Sequence, residues 1–326
     1  MRLTLDQIKS ITVGAVAVEQ RDDGIHFMKC TEGQTAAWYK MSGILGDRSL
    51  STTGIRLDFI TNSKSFSFGS SSGAKYELLI DSQQRFVIVP TEAGTHKIDY
   101  SVNLTNARFE QKDEYRVTLV FPSHGSPGVI THVELDDCSY VKPCEYSTKM
   151  LFIGDSITQG HNSGYDSLSY AYRVSAHFNA NSVINGIGGA YFEETTFEKI
   201  DFDPDIVIVA YGTNDWGRCG KDPEKILAHA CGYMDLIKDA YFDKRVFVIS
   251  PIWRCVDATG ESMPALFDEC RRRIESEARA RGFFAVDGLS LVPPVREFFA
   301  DRHLHPNAIG FSFYAENLIK AIEENL

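Results

Sequence analysis

The sequence predicts an α/β protein in which an all-β sandwich domain, residues 1–145, precedes a three-layer α/β/α domain, residues 146–326, with a five-stranded parallel sheet. Two observations predict this fold class. In the first half, short segments alternate apolar and polar residues, which is typical of antiparallel strands with one solvated face. In the second half, continuous apolar runs alternate with helical patterns, which is typical of parallel strands covered on both faces.

The strands of the first half are separated by turn sequences such as GSSSG and SHGSPG. Residues 11–18 (ITVGAVAV) predict a first strand rather than a secretory signal, because the apolar run is short and Asp6 lies where a signal peptide is basic. No helical stripe is found in this half, so we expect a β-sandwich. Further strands are predicted at residues 55–60, 76–80, 86–89, 115–120 and 129–135.

The second half predicts five strands with helices between them. Asp222 followed by Pro223 is a helix N-cap with proline in the first turn, Ser262 and Gly282 bracket a second helix, and Pro306 opens the last one. This alternation predicts a doubly wound sheet, whose ligands bind beyond the carboxyl ends of the strands. Strands are predicted at residues 150–153, 183–185, 206–210, 246–249 and 283–286.

Composition limits the partners. The length of 326 residues agrees with two domains, and the net charge of −11 argues against nucleic acids and anionic membranes. No apolar run approaches the roughly 18 residues of a membrane span. The seven cysteines form no CxxC pair, which predicts free thiols and a cytoplasmic location. No cluster has metal-ligand spacing and no nucleotide-binding motif occurs, so we expect no metal and no cofactor; a homo-oligomer is left open.

Four polar motifs lie at the predicted strand ends and in the loop before the last helix. They read GDSITQG (154–160), NGIGG (185–189), YGTND (211–215) and DRHLHPN (301–307). In this order they resemble the four blocks of the SGNH (GDSL-type) hydrolase superfamily. A β-sandwich ahead of such a domain is similar to a group of two-domain bacterial carbohydrate esterases. The resemblance implies a flavodoxin-like second domain and a jelly-roll-like first domain.

The resemblance also implies the site residues. Ser156 would be the nucleophile, and His305 the base that takes its proton and then protonates the leaving alcohol. The oxyanion would be held by the N–H groups of Ser156 and Gly189 and by the side chain of Asn214. Structural alternatives exist for each, since Ser156 and Asn214 are also common helix caps, Gly189 suits a turn, and His305 precedes a helix.

The acidic residue departs from the superfamily pattern, which usually has aspartate three residues before the histidine. Arg302 stands at that position, and Asp301 lies four residues before His305. We expect Asp301 to reach the far nitrogen of His305 through a bulged loop. The alternative is a Ser–His dyad in which a backbone carbonyl orients His305. His303 is interpreted as a loop residue.

The sequence therefore predicts a serine esterase that hydrolyses a carboxylic ester through an acyl-enzyme, in particular an O-acetylesterase for a small-molecule or oligosaccharide ester. Candidate substrate contacts are Trp216, Trp253 and Arg254, with packing in the core or at its rim as the alternative for Trp216. Two other functions are left open: an esterase or lysophospholipase for longer acyl chains, and a carbohydrate-binding protein with weak hydrolase activity.

Overall fold

The computed structural model describes residues 1–82, 84–89, 97–106, 110–255 and 263–326. The chain divides into two compact units, and each unit consists of two separate segments of the sequence. The first unit comprises Met1–Lys29 and Leu50–Tyr146, and the second comprises Cys30–Ser49 and Ser147–Leu326. The segment Cys30–Ser49 therefore belongs to the second unit, although the chain reaches it before most of the first unit.

The first unit contains two antiparallel sheets that share one apolar core. Phe59 of one sheet and Phe66 of the other lie with ring centroids 6.1 Å apart, and both are fully buried. Its elements are α1 (Leu5–Ser10), β1 (Thr12–Val13), β2 (Ala17–Arg21), β3 (Gly24–Met28), β4 (Arg56–Thr61), β5 (Ser65–Ser70), β6 (Tyr76–Ile80), β7 (Gln84–Ile88), β8 (Ile98–Asn103), β9 (Tyr115–Val120), β10 (Val129–Leu135) and β11 (Lys142–Pro143). One sheet has the order β1-β4-β9-β6-β7 with β11 on β4, and the other has the order β2-β3-β10-β5-β8.

Three predictions for the first half are wrong. Helices occur there, and Cys30–Ser49 does not belong to the sandwich: it forms α2 (Glu32–Met41) and α3 (Gly43–Ser49) of the second unit. The single strand expected at residues 11–18 is interrupted at Gly14, which has φ 85°, and β1 and β2 on either side lie in different sheets. The apolar pattern misses α2 because this helix buries only Gln34 and Trp38. The usable signal was a capping box, in which the side chains of Thr31 and Gln34 each accept the other residue's backbone N–H at 3.0 Å.

The second unit is a three-layer α/β/α domain, as predicted. Its parallel sheet has the order β13-β12-β14-β15-β16, which is the flavodoxin-like order, and α4 packs on α8 while α6 packs on α7. Its further elements are β12 (Thr148–Gly154), α4 (Tyr170–His177), β13 (Ala180–Gly186), β14 (Ile206–Ala210), α5 (Asp215–Arg218), α6 (Pro223–Ala240), β15 (Arg245–Ile249), α7 (Ala265–Ala280), β16 (Phe284–Val286) and α8 (Ala308–Glu323). Within the described ranges, no helix is both long and apolar enough to cross a membrane.

The helix starts of the second unit follow from capping. Asp222 caps α6 as predicted, with Pro223 in the first turn. The last helix begins at Ala308 rather than at Pro306, because Asn307 is the N-cap and Pro306 instead bridges to Phe299. Ser262, expected to bracket α7, lies outside the described residues.

The sheet order places β12 between β13 and β14. The chain leaves β12 toward one side of the sheet and later returns to its other side, so the carboxyl ends of these three strands surround a topological switch point. Gly154 at the end of β12 pairs with Gly186 on one side and Ala210 on the other. The GDSITQG, NGIGG and YGTND motifs therefore leave the sheet side by side.

Candidate active site

The loop after β12 presents Ser156 on a tight turn. Backbone hydrogen bonds join the N–H of Gln159 to the carbonyl of Asp155 at 2.9 Å and the N–H of His161 to the carbonyl of Ser156 at 2.9 Å. The buried carboxylate of Asp155 accepts the N–H of Ile157 at 2.9 Å. Burial raises the pKa of Asp155 to about 6, although that hydrogen bond acts in the opposite direction. Asp155 thus fixes the turn that carries Ser156.

Three side chains from two distant motifs form a hydrogen-bonded chain. The hydroxyl of Ser156 lies 2.9 Å from Nε2 of His305, and Nδ1 of His305 lies 2.6 Å from Oδ2 of Asp301. Because a carboxylate only accepts, Nδ1 carries the proton and Nε2 is left as the acceptor for the serine hydroxyl. The residue additional to the superfamily spacing does not separate Asp301 from His305.

The loop of residues 301–305 folds back on the Asp301 carboxylate and holds it in place. Its Oδ1 accepts the backbone N–H groups of His303, Leu304 and His305 at 3.1, 2.8 and 3.0 Å. Arg302 adopts a left-handed conformation with φ 64°, which accommodates the additional residue. Burial by itself raises the pKa of Asp301, but these hydrogen bonds and that of His305 outweigh it, so the pKa lies well below its usual range. The carboxylate is therefore ionised at neutral pH.

The glycine motif after β13 is held by hydrogen bonds from two other loops. The N–H of Gly188 donates to Oε1 of Gln159 at 2.7 Å, and the side-chain amide of Asn214 donates to the carbonyl of Ala190 at 2.9 Å. Gly189 has φ +87°, a conformation that favours glycine. Among the described residues, no protein acceptor meets the backbone N–H of Ser156 or of Gly189. Both N–H groups are available to a ligand.

Sequence reasoning missed two neighbours of this site. Nη1 of Arg48, on α3, donates to the carbonyl of Gly188 at 2.7 Å, and the ring of His161 packs edge-on against His305 with centroids 4.8 Å apart. His161 directly follows the GDSITQG motif, so its position could have been anticipated. Arg48 could not, because its helix carries no motif and lies in the other half of the sequence.

The side chain of Asp215 contacts the backbone just after the glycine motif. Its Oδ1 accepts the N–H of Phe192 at 3.1 Å, and its buried Oδ2 has no hydrogen-bond partner among the described residues. Burial raises the pKa of Asp215 to about 7. Asp215 thus acts on the loop backbone and does not extend the Ser156 chain.

The three candidate substrate contacts are largely engaged in packing. Trp216 is only 6% exposed and packs on Phe267, and Trp253 is 8% exposed and packs on Phe299. Arg254 donates to the carbonyl of Thr213 at 2.8 Å. The tryptophans therefore have little surface for a substrate, and contact through Arg254 stays a prediction. Within the described part of the chain, no three His, Cys, Asp or Glu side chains are grouped to hold a metal ion.

Comparison with known proteins identifies relatives in sequence. Residues 152–312 match the model of the GDSL-like lipase/acylhydrolase family. A GDSL lipase of Mycobacterium tuberculosis is 26% identical over 197 residues, which cover 53% of this chain and 81% of that protein. The matched segment extends from Phe152 to the beginning of α8 and includes all four motifs.

Several solved structures resemble the chain in fold, including an acyltransferase and a carbohydrate esterase. A salicylyl-acyltransferase from a tetracycline biosynthetic pathway has a TM-score of 0.78 at 16% identity, covering 96% of this chain and 94% of its own. A family two carbohydrate esterase from Clostridium thermocellum, in complex with cellohexaose, has a TM-score of 0.63 at 16% identity, covering 84% of this chain and 93% of its own. At identities this low, the structural likeness shows a shared fold alone.

Proposed function

We propose that this chain cleaves its ester with the hydroxyl of Ser156 through a covalent acyl-enzyme. The chain is a carboxylic ester hydrolase and belongs to the GDSL-like lipase/acylhydrolase family through residues 152–312. The observation that carries the proposal is the hydrogen-bonded chain of Ser156, His305 and Asp301, with donor–acceptor distances of 2.9 and 2.6 Å. A serine hydroxyl is a weak nucleophile until a base at hydrogen-bond distance removes its proton.

In the acylation step, Oγ of Ser156 attacks the ester carbonyl carbon while Nε2 of His305 takes the hydroxyl proton. The carbonyl π electrons move to oxygen, and the resulting oxyanion is held by the N–H groups of Ser156 and Gly189 and by Asn214. The tetrahedral intermediate collapses, the bond to the alcohol oxygen breaks, and Nε2–H of His305 protonates that oxygen. Water then attacks the acyl-enzyme by the same sequence and releases the acid.

Asp301 supports His305 in both steps. Its carboxylate fixes the Nδ1–H tautomer, and its negative charge stabilises the imidazolium formed when His305 accepts the proton. The low pKa of Asp301 is consistent with this function, because the carboxylate stays ionised at the pH at which a histidine base is effective.

For the substrate, we propose an O-acetyl ester on a sugar or oligosaccharide. The GDSIT form of the nucleophile motif, together with the preceding β-sheets, resembles carbohydrate esterases. The fold likeness to a carbohydrate esterase in complex with cellohexaose supports the same substrate class. A cytoplasmic location stays a prediction from the cysteine content.

Substitution of the nucleophile tests the proposed reaction. We expect Ser156→Ala to abolish hydrolysis of p-nitrophenyl acetate and to prevent labelling by a fluorophosphonate probe. The control Ser147→Ala removes a hydroxyl that donates to the carbonyl of Phe178 at 3.2 Å, and it should retain both activities. Retained turnover in Ser156→Ala, with unchanged thermal unfolding, would overturn the mechanism. A wild-type protein that binds sugars but is not labelled would instead be a carbohydrate-binding protein.

The acyl and alcohol groups require separate measurements. A steep fall in kcat/KM for p-nitrophenyl esters beyond four acyl carbons is expected for an acetylesterase, whereas an increase would favour the longer-chain esterase or lysophospholipase. Acetate release from a panel of acetylated sugars, xylan fragments and sialic acids then identifies the alcohol. Equal rates on every compound, including simple alkyl acetates, would contradict a carbohydrate substrate.

A further inference from the structure

We propose that Arg48 is a positioning residue for ester hydrolysis, which holds the Gly188–Gly189 peptide so that the N–H of Gly189 points at the oxyanion. The proposal rests on the proposed function of Ser156 and extends it to a residue outside the four motifs. Arg48 lies on α3, in the segment Cys30–Ser49 that folds with the catalytic unit.

The guanidinium of Arg48 lies against the glycine pair. Nη1 donates to the carbonyl of Gly188 at 2.7 Å, and a Cβ added at Gly189 would lie 3.1 Å from the same Nη1. The methyl group Cδ2 of Leu45, on the same helix, would lie 3.3 Å from that added Cβ. Helix α3 therefore covers the side of Gly189 on which any other residue would carry a side chain.

Because of peptide geometry, the contact of Arg48 with the Gly188 carbonyl also determines the direction of the Gly189 N–H. The carbonyl of Gly188 and the N–H of Gly189 belong to one planar trans peptide group and point in opposite directions. Glycines resist rotation of this group less than other residues do. A guanidinium that holds the carbonyl on one side therefore fixes the N–H of Gly189 on the other side, where it meets no acceptor from the part of the chain that the structure describes.

A second hydrogen bond, to the N–H of Gly188, further restricts the orientation of the glycine peptides. The N–H of Gly188 is held by Gln159 at 2.7 Å, so one peptide group flanking Gly188 is fixed by the loop after β12 and the other by helix α3. A charged donor on the carbonyl also polarises the amide and strengthens its N–H as a hydrogen-bond donor. Both effects act on the oxyanion, which exists only in the transition state and the tetrahedral intermediate.

The expected kinetic effect follows because Arg48 acts on the transition state and not on the bound substrate. Loss of one oxyanion donor typically lowers kcat by about 10²–10³-fold, and a misdirected donor should lower it by about 10–100-fold. Arg48→Met keeps an unbranched side chain that mimics the aliphatic part of arginine and loses the donor, so kcat should fall while KM changes by less than about 2-fold. Arg48→Lys, which can still donate to the Gly188 carbonyl, should recover part of the loss.

The experiment measures kcat and KM for p-nitrophenyl acetate together with inhibition by a trifluoromethyl ketone, whose adduct with Ser156 carries an oxyanion. In Arg48→Met and Arg48→Lys, the inhibition constant of the ketone should rise in proportion to the loss in kcat, while that of the product alcohol stays constant. The control Arg173→Met removes another arginine that donates to a backbone carbonyl, that of Leu168 at 3.1 Å, and should behave as the wild type.

Four outcomes would overturn the proposal. Unchanged kcat in Arg48→Met would show that the contact does not orient the donor, and a rise in KM alone would make Arg48 a ground-state substrate contact. A wild-type protein without esterase activity would remove the proposed function and this inference with it. If Arg48→Met does not fold, the proportionality is tested in Arg48→Lys alone, and a fall in kcat without weaker ketone binding contradicts it.

Discussion

Replacement of Asp301 by asparagine should inactivate the enzyme without removing any backbone contact of its loop. In Asp301→Asn, the amide oxygen can still accept the three N–H groups that Oδ1 accepts in the wild type, at 2.8 to 3.1 Å. The amide nitrogen then faces Nδ1 of His305, which lies 2.6 Å from Oδ2 in the wild type. Because that nitrogen only donates, Nδ1 must become an acceptor and the imidazole proton moves to Nε2.

This change of tautomer reverses the hydrogen bond to the hydroxyl of Ser156. Nε2 would donate to the hydroxyl of Ser156 instead of accepting its proton, and the same exchange in a Ser–His–Asp triad costs about 10⁴-fold in kcat. That factor corresponds to about 5.4 kcal/mol of activation free energy. KM should change little, because the ground state of the bound ester does not involve the proton transfer.

The assay is steady-state hydrolysis of p-nitrophenyl acetate, with His303→Ala as the control. Alanine at position 303 retains the backbone N–H that donates to the Asp301 carboxylate. It loses the ring Nδ1, which lies 3.1 Å from the backbone carbonyl oxygen of Asp301, so kcat should fall far less than in Asp301→Asn. A kcat of Asp301→Asn within tenfold of the wild type would refute the reasoning and favour a Ser–His dyad.

The unfolding free energy gives an independent check on Asp301. Four charge-assisted hydrogen bonds, three from the backbone and one from His305, become neutral ones, which should lower the free energy of unfolding by about 2 kcal/mol at pH 7. Because the pKa of Asp301 is lowered on folding, this stabilisation is present above about pH 4 and is lost as the pH falls. The urea unfolding curves of wild type and variant should therefore converge in acid.

Two further predictions concern buried carboxylates. Asp58, 1% exposed, binds Arg116 at 2.6 Å and Tyr146 at 2.6 Å, so Asp58→Asn should destabilise the protein by about 3 kcal/mol in urea unfolding at pH 7. An equal difference at pH 3 would contradict it, since these partners, against the effect of burial, hold the Asp58 pKa well below its usual range. Burial raises the pKa of Asp215 from 3.8 to about 7, so the folded state binds the extra proton and wild-type stability should fall by about 2–3 kcal/mol between pH 5 and 8. Asp215→Asn should lack this component, and an identical pH dependence of its unfolding free energy would refute the argument.

The sequence patterns located the strands well because burial dictates residue type there. The strands at 115–120, 129–135 and 206–210 have the bounds that alternation or continuous apolar runs predicted. Helix α2 was missed since it buries only two side chains, one of them the amide of Gln34. A helix that contributes so little to the core has no apolar period to detect, and only its capping box indicates where it begins.

Much of the candidate site was also accessible from the sequence. Strand order brings the loops of Ser156, Gly189 and Asn214 to one edge of the sheet, and the fold of the last loop brings Asp301 to His305. Arg48 could not have been found in this way. Its contact with Gly188 joins residues 140 positions apart, and no local pattern records a contact between distant segments.

The position of Cys30–Ser49 in the chain has a consequence for the timing of biosynthesis. The ribosome delivers this segment early, but the sheet against which it folds begins at Thr148 and is complete only with β16. At about 5–20 residues per second, α2 and α3 must wait on the order of ten seconds for their partners. Helices this short are marginal in isolation. In such a nascent chain, the segment Cys30–Ser49 lies unfolded between the two parts of the first unit. This segment would be exposed to proteases and chaperones until the last strands of the sheet emerge.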